Sequence, residues 1–323
     1  MQKSEATALV PEGGQSAEGG DYTFTVGICA TGRPTTLMPL LEVVLASGMP
    51  RFALKKVVLV ASECSDATLR AARRQAALDP RIRLIEHERR TGKADALNEI
   101  FKETEGDFLV YVNADALIST KSIPALLKSI EGDAGAGFVS GRPTFERPRG
   151  LISDVLDVMW SSQNLLSSHP DQKRWRNHGT DELMAIRSGL LPELPRKVVN
   201  DGAYIAGRIS EMGFRVGFQP EAVVRIDVPK RMVDLITQRR RILYGHIQVK
   251  RLVGKAPRTV ETMMFFSPAQ SAAIVIKMLA KRPRRVTVLP IAATGELIAL
   301  LGALWDTLVS KTGHAVWKRY EQG

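Results

Sequence analysis

The stretch TGKADALNEIFKETEGDFLVYVNAD, residues 91–115, decides the fold. Lys93 to Thr104 carries its apolar residues at helical spacing, whereas Phe108 to Ala114 is a continuous apolar run that ends in Asn113-Ala114-Asp115. An uninterrupted apolar strand is buried on both faces, and a helix of this length before it is the crossover that parallel strands need. Towards the N-terminus, FTVGICA (24–30), KKVVLVAS (55–62) and RIRLIEHE (81–88) read as strands, with TTLMPLLEVVLAS (35–47) and DATLRAARRQAAL (66–78) as the helices between them. The expectation is an α/β fold with a doubly wound, mostly parallel sheet. Ligands of such sheets bind beyond the carboxyl ends of the strands, so the segments Ala30 to Arg33, Ala61 to Asp66 and Asn113 to Asp115 should converge.

Towards the C-terminus the pattern loosens. It gives a helix near Ser122 to Ile130, an extended GFVSGRPTF, a helix from Leu151 to about Ser167, and a polar loop HPDQKRWRNHGTDELMAIR (169–187). A helix beginning near Asp201 and a strand-like FRVGFQPEAVVRIDV follow. Residues 1–20, rich in Gly, Ser, Ala and Glu and without an apolar run, read as a disordered leader. The organisation expected is that leader, a catalytic domain over 21–228, and a basic, hydrophobic helical region over 229–323.

Composition narrows the classes. With 323 residues, 44% of them hydrophobic, the chain can bury a real core. Two cysteines, Cys29 and Cys64, exclude a disulfide framework and a four-cysteine zinc site and fit a reducing, cytoplasmic setting. The strands bearing them are neighbours, which leaves open that the thiols lie close together; the favoured reading is of small buried or half-buried thiols. Residues 225–285 hold 15 basic and 3 acidic residues, a local +12 against +11 for the whole chain. The basicity therefore has a local purpose: gripping an anionic ligand, nucleic acid or anionic lipid. Aromatics for base stacking are not interleaved with it, and no nucleic acid is expected.

Several motifs carry chemistry. Gly92-Lys93 at a helix mouth joins free backbone N–H groups to a cation, which suits a phosphate. Asn113-Ala114-Asp115 ends a buried strand, where a carboxylate needs water, a donor or a cation. Val198-Val199-Asn200-Asp201-Gly202 sets an acid at a helix start, as a cap or as a functional carboxylate. Gln238-Arg239-Arg240-Arg241 concentrates charge suited to a pyrophosphate.

In this order, over roughly Thr23 to Gly245, these pieces resemble the inverting glycosyltransferases of family 2, which have the GT-A fold with its Rossmann-like nucleotide-binding half. The family's lysine and ALN signature is similar to Gly92-Lys93-Ala94-Asp95-Ala96-Leu97-Asn98, and its metal-binding DxD to Asn113-Ala114-Asp115. Its acceptor segment resembles Gly179-Thr180-Asp181-Glu182-Leu183-Met184-Ala185-Ile186-Arg187, its ED motif Asn200-Asp201, and its QxxRW motif Gln238-Arg239-Arg240-Arg241-Ile242. The first acid of DxD and the Glu of ED are both Asn here, the DDGS-type turn is Ala61-Ser62-Glu63-Cys64-Ser65-Asp66, and the tryptophan of QxxRW is Ile242.

The resemblance implies a UDP- or GDP-sugar donor held by Ala30, Thr31, Arg33, Glu63, Lys93, Asn113, Asp115, Gln238 and Arg241. It implies Mg²⁺ or Mn²⁺ on Asp115 and Asn113, Asp201 as general base, and Gly179, Thr180, Asp181 and Glu182 on the acceptor. His178, beside Gly179, reads either as near the acceptor or, the commoner use of a lone loop histidine, as polar surface. Ile242 in place of the aromatic implies addition of one sugar rather than processive synthesis. The two lost acids leave open an inactive member that binds without turnover. A sugar nucleotidyltransferase would need a glycine-rich loop where Ala30-Thr31-Gly32-Arg33-Pro34 stands.

Two apolar stretches, Thr262 to Ala280 and Val286 to Val309, approach spanning length. If both crossed a bilayer, Lys281-Arg282-Pro283-Arg284-Arg285 would face outwards, against the positive-inside rule. Glu296 would sit near the bilayer centre at an insertion cost of about 3 kcal/mol. The expectation is amphipathic helices on the inner leaflet, drawn by the basic segment and anchored by Trp305, Trp317 and Tyr320, with a glycan or lipid-linked acceptor. Packing on the catalytic domain or in a homo-oligomer is the other use of these helices.

Overall fold

A computed structural model describes residues 21–148, 150–169, 176–281, 283–310 and 314. The expected leader and the anchors Trp317 and Tyr320 lie outside the described residues. The elements in order are β1 (Tyr22–Gly32), α1 (Leu37–Leu45), β2 (Phe52–Cys64), α2 (Asp66–Leu78), β3 (Ile82–His87), α3 (Lys93–Lys102), β4 (Phe108–Asn113) and β5 (Leu117–Ile118). Then come α4 (Ser122–Glu131), β6 (Ala136–Phe145), α5 (Leu151–Ser168), β7 (Leu183–Arg187), α6 (Asp201–Glu211) and β8 (Arg215–Ile226). The chain continues with α7 (Met232–Val253), α8 (Val260–Phe266), α9 (Pro268–Lys281) and α10 (Leu289–Trp305), the last extended by a π-helical turn over Asp306–Ser310.

The strands form one sheet in the order β3-β2-β1-β4-β7-β6-β8-β5. The β3-β2-β1-β4 half is parallel throughout, as the alternation of apolar runs and amphipathic helices requires. Its two faces are covered by different helices. Phe24, Val26, Ile28, Phe108 and Val110 pack with α1 and α4, while Val58, Val60, Leu109 and Tyr111 pack with α3, α6 and the end of α7.

One expectation fails. The segment read as a polar loop over 169–187 contains β7, antiparallel to both β4 and β6 at the middle of the sheet, with Leu183 to Ile186 fully buried. Leu183-Met184-Ala185-Ile186 is too short and too plain an apolar run to register beside the charged residues that precede it.

The strand ends meet as expected. The Ser65 N–H donates to the Gly32 carbonyl at 2.8 Å, Ala114 N–H to Cys29 at 3.2 Å, and Thr36 Oγ1 to Ala114 at 2.7 Å. Both cysteines are free and half-buried. Cys29 registers with Val60, and Cys64 with Gly32, so the two free thiols sit near opposite ends of a four-residue stagger.

The C-terminal helices share their core with the rest of the chain. Ile152, Val155 and Leu156 of α5 pack with Leu235 of α7, Met278 of α9 and Ala292 of α10. Along α10 the alanines Ala292, Ala299 and Ala303 face inward, while Leu297, Ile298, Leu301 (59% exposed), Leu304 and Trp305 (58% exposed) face out. Arg285–Ser310 is long and apolar enough to cross a membrane.

Candidate active site

Three elements aim charge at one point beyond the carboxyl ends of β1 and β4. Gly92 adopts φ +112°, which a side-chain-bearing residue rarely does, and turns the chain so that Lys93 opens α3 facing the sheet end. Asn200 caps α6 by accepting the Ala203 N–H at 3.1 Å, which delivers Asp201 at the first helical position. The approach to β7 brings Asp181 and Glu182. The Gly202 backbone lies so near Asp181 that a Cβ would come within 2.8 Å of the Asp181 Cβ, so the two carboxylate-bearing segments touch there.

Lys93 Nζ forms an ion pair with Asp181 and another with Asp201 Oδ2 at 3.1 Å, and lies 5.2 Å from the centre of the Tyr111 ring. Lys93 is 27% exposed, Asp181 25% and Asp201 5%. Burial pushes the Asp201 carboxyl up to about 6, against the opposing pull of Lys93. Asp181 ends below the ordinary carboxylate range: burial opposes this, but Lys93 outweighs it. Of two adjacent aspartates, then, Asp181 stays ionised and Asp201 is poised near neutrality.

A second strand of contacts runs from Tyr111. Its hydroxyl donates to Asn113 Oδ1 at 2.7 Å, and Asn113 Nδ2 donates to Glu182 Oε2 at 2.6 Å. Asn113 thus uses its amide as a bridge, with one carbonyl lone pair taken by Tyr111. Burial, then the charges of Asp181 and Asp115, push the Glu182 carboxyl up to about 8. Asp115 thus acts on Glu182 through its charge, while Asn113, the residue the sequence offered as the partner of Asp115, is hydrogen-bonded to Glu182. Among the described residues no three or more His, Cys, Asp or Glu side chains form a metal-holding group.

The remaining residues singled out in the sequence divide. Ala30 is buried in β1 opposite Ala61, Thr31 is half-buried opposite Ser62, and Arg33 is exposed just past the strand. Glu63 is exposed at a bulge where the β1–β2 register shifts, with φ +50°, the only positive value on a non-glycine residue among those described. Gly179 is buried against Phe138 and Thr180 is half-buried beside it. Gln238 is half-buried on α7.

The arginine run does not act as one grip. Arg239 forks onto Glu296 of α10 at 2.6 and 3.1 Å and reaches Glu261 of α8 at 2.7 Å. Arg240 forks onto Asp306, which also accepts from His314 Nε2 at 2.8 Å. Only Arg241 turns to the active site, donating to the Val199 and His314 carbonyls at 3.4 Å and lowering the Asp201 carboxyl. Sequence reasoning missed Tyr111, which looks like strand core, and the acids Glu261, Glu296 and Asp306, whose partners are remote in sequence.

The sheet order and the charged cluster at its strand ends define a GT-A nucleotide-binding fold. The family model for glycosyl transferase family 2 matches residues 25–190, just over half of the chain, and the chain belongs to that family. Among solved structures it is similar to the mannosyltransferase PcManGT from Pyrobaculum calidifontis in complex with GDP-Man and Mn²⁺, at 22% identity and TM-score 0.61, covering 93% of this chain and 92% of that one. It is also similar to glucosyl-3-phosphoglycerate synthase from Mycobacterium tuberculosis in complex with Mn²⁺, UDP-glucose and phosphoglyceric acid, at 17% identity and TM-score 0.50, covering 71% and 80%. No curated protein matches the sequence.

Proposed function

We propose that this glycosyltransferase moves a hexose, with inversion, from a UDP- or GDP-sugar to a hydroxyl of a glycan or lipid-linked acceptor, one sugar at a time, at the cytoplasmic face of a membrane. The observation that carries the reading is Asp201: buried, ion-paired to Lys93, beside an ionised Asp181, and raised to about 6. A base that titrates near the working pH takes the acceptor proton as the new bond forms, a contribution of roughly 10² to 10⁴ in rate. Lys93, itself paired to Asp181, holds it in place, and Arg241 lies where it can meet the departing diphosphate.

Asp115 and Glu182 both offer carboxylate oxygens, the donor type Mg²⁺ or Mn²⁺ takes, and a cation of this kind commonly takes one or two carboxylates with substrate phosphates and water for the rest. When bound, the cation would neutralise charge building on the leaving diphosphate. Asn113 orients Glu182 through its 2.6 Å hydrogen bond. The similar structures hold GDP-Man or UDP-glucose with Mn²⁺, which supports a nucleoside diphosphate donor. The outward face of α10 supports the membrane: from Val286 to Ser310 its exposed residues carry no charge, because Glu296 and Asp306 both turn inward onto arginines. The insertion cost reckoned for a lone Glu296 is offset in part by its Arg239 partner.

Calorimetric titration with UDP, GDP, dTDP and CMP, with and without Mn²⁺, beside Asp115→Ala, tests the donor site. Selective binding of UDP or GDP that needs Mn²⁺ and Asp115 is expected. Binding to none of the four overturns the donor assignment, and binding with no turnover on any acceptor would make the chain an inactive member.

A further inference from the structure

A buried tyrosine that the proposed transfer leaves without a role stands under the active site. Tyr111 lies on β4 among Leu109, Val110 and Val112, is fully buried, and sits in register between Gly27 of β1 and Met184 of β7. Phenylalanine would fill that place with no oxygen to satisfy, and a buried hydroxyl is costly unless it is hydrogen-bonded. The hydroxyl therefore needs an account.

Its surroundings supply one. Alternate residues of a strand share a face, so Asn113 at the end of β4 stands on the same side as Tyr111. The hydroxyl donates to Asn113 Oδ1 at 2.7 Å, and the Cys29 thiol on β1, kept neutral by burial, lies within hydrogen-bonding reach of the same hydroxyl. With Oδ1 engaged, Asn113 Nδ2 donates to Glu182 Oε2 at 2.6 Å. A primary amide has one accepting end and one donating end, so the phenol fixes which end Glu182 meets. The ring makes a second contact. Its centre lies 5.2 Å from Lys93 Nζ, within the range over which an aromatic quadrupole attracts a cation. Lys93 in turn pairs with Asp181 and with Asp201 Oδ2 at 3.1 Å. The two arms of Tyr111 thus end on consecutive residues, Asp181 and Glu182, and the ring arm also reaches Asp201.

We propose that Tyr111 is a positioning residue for the transfer: its ring sets the Lys93 ammonium between Asp181 and Asp201, and its hydroxyl, through Asn113, sets the Glu182 carboxylate. The proposal rests on the reading of the chain as a glycosyltransferase. Tyr111 touches no reacting atom; it acts on Asp201 through Lys93 and on Glu182 through Asn113. Phenylalanine at this position would keep the ring arm and lose the hydroxyl arm, whereas an aliphatic side chain would lose both. The two arms are therefore separable by substitution.

The test sets the wild type beside Tyr111→Phe, Tyr111→Leu (Tyr111→Met should the leucine variant not fold), Asn113→Ala, and Tyr111→Phe combined with Asn113→Ala. The first readout is the carbon-13 NMR titration of the Asp201 carboxyl without nucleotide, a group faced by Lys93, Asp181 and Arg241, with Cys29 and Tyr111 also acting on it. Tyr111→Phe should leave its midpoint within about 0.2 pH unit, and the aliphatic variant should raise it by about half a unit, because Lys93 is no longer held. The second readout is calorimetric titration with UDP and GDP. In Tyr111→Phe the affinity should fall roughly three- to tenfold at fixed Mn²⁺ and match the wild type without it, and the double variant should lose no more than Asn113→Ala alone. A midpoint moved equally by the phenylalanine and aliphatic variants, or by neither, overturns the ring arm. Full Mn²⁺-dependent affinity in Tyr111→Phe, or additive losses in the double variant, overturns the hydroxyl arm. A wild type that binds neither nucleotide overturns the glycosyltransferase reading and the hydroxyl arm with it, while the carboxyl titration still decides the ring arm.

Discussion

Two charge clusters meet the same helix, α7, and they are built differently. Around Lys93 a single ammonium faces Asp181 and Asp201, with Glu182 near, and no carboxylate receives a two-pronged contact. Around Arg239 and Arg240, planar guanidinium groups fork onto Glu296 and Asp306, with Glu261 and His314 filling further positions. Lysine is a point charge and arginine a rigid fork. The first arrangement leaves Asp201 raised to about 6 and able to exchange a proton, whereas the Asp306 carboxyl is held below its ordinary range by the Arg240 contacts. The difference teaches that burial of charge alone does not mark an active site: what matters is whether the partner geometry leaves a carboxylate with work to do.

The largest expected effect strikes the Lys93 cluster. Asp201→Asn should lower kcat by roughly 10² to 10⁴ with the nucleotide still bound. In the wild type, kcat/KM should rise about tenfold per pH unit below about 6 and level off above it, because the base acts ionised and its carboxyl is raised. Lys93→Met removes the charge that pulls this value down, so the midpoint should move to higher pH. The same shift acts on stability. Between about 4 and about 6 the folded state keeps a proton that the unfolded chain has released, so Asp201 costs stability as pH rises through that window. A pH–rate profile that is flat from 5 to 8 would place the proton elsewhere.

Breaking the other cluster should leave chemistry intact in the protein that remains folded. Arg239→Leu strands Glu261 and Glu296 without their shared cation, and removing one partner of a buried pair costs about 3–5 kcal/mol. Thermal unfolding should fall by on the order of 10 °C. A matched Arg239→Leu, Glu296→Leu, Glu261→Gln variant should recover most of the loss. If Arg239→Leu instead melts normally and loses donor affinity, the arginine serves the diphosphate, and the two clusters are one site.

The sequence carried these regions unequally. The parallel half was legible because each strand is a buried apolar run and each helix a separate amphipathic one, as in FLVYVNA and its preceding helix. Lys93 and Asp201 could be singled out because helix starts announce themselves through Gly92 and Asn200. β7 was invisible, since four apolar residues between Glu182 and Arg187 give no period, and its burial comes from two neighbouring strands that the local sequence does not describe. The arginine run looked uniform in sequence because consecutive helical positions point in different directions. Arg239, Arg240 and Arg241 are about 100° apart around α7, and their partners lie 22 to 73 residues away.

The smallest expected effect concerns strain, and it separates the clusters once more. Glu63 is held at φ +50° on a bulge at the end of β2, a conformation that costs a residue with a side chain roughly 1–2 kcal/mol. The side chain is exposed, so packing does not reward that cost. Glu63→Gly should therefore raise the melting temperature by a few degrees. If Glu63 takes the place of the family's acidic contact to the nucleotide base, the same variant should bind the nucleoside diphosphate several-fold more weakly. Glu63→Gln keeps the backbone strain and removes only the charge, so it should weaken binding without the gain in stability. Strained residues of this kind cluster at ligand sites, which is why the two substitutions are read against nucleotide binding. A Glu63→Gly protein that is more stable and binds as well as the wild type would show that the bulge serves the turn into α2 alone.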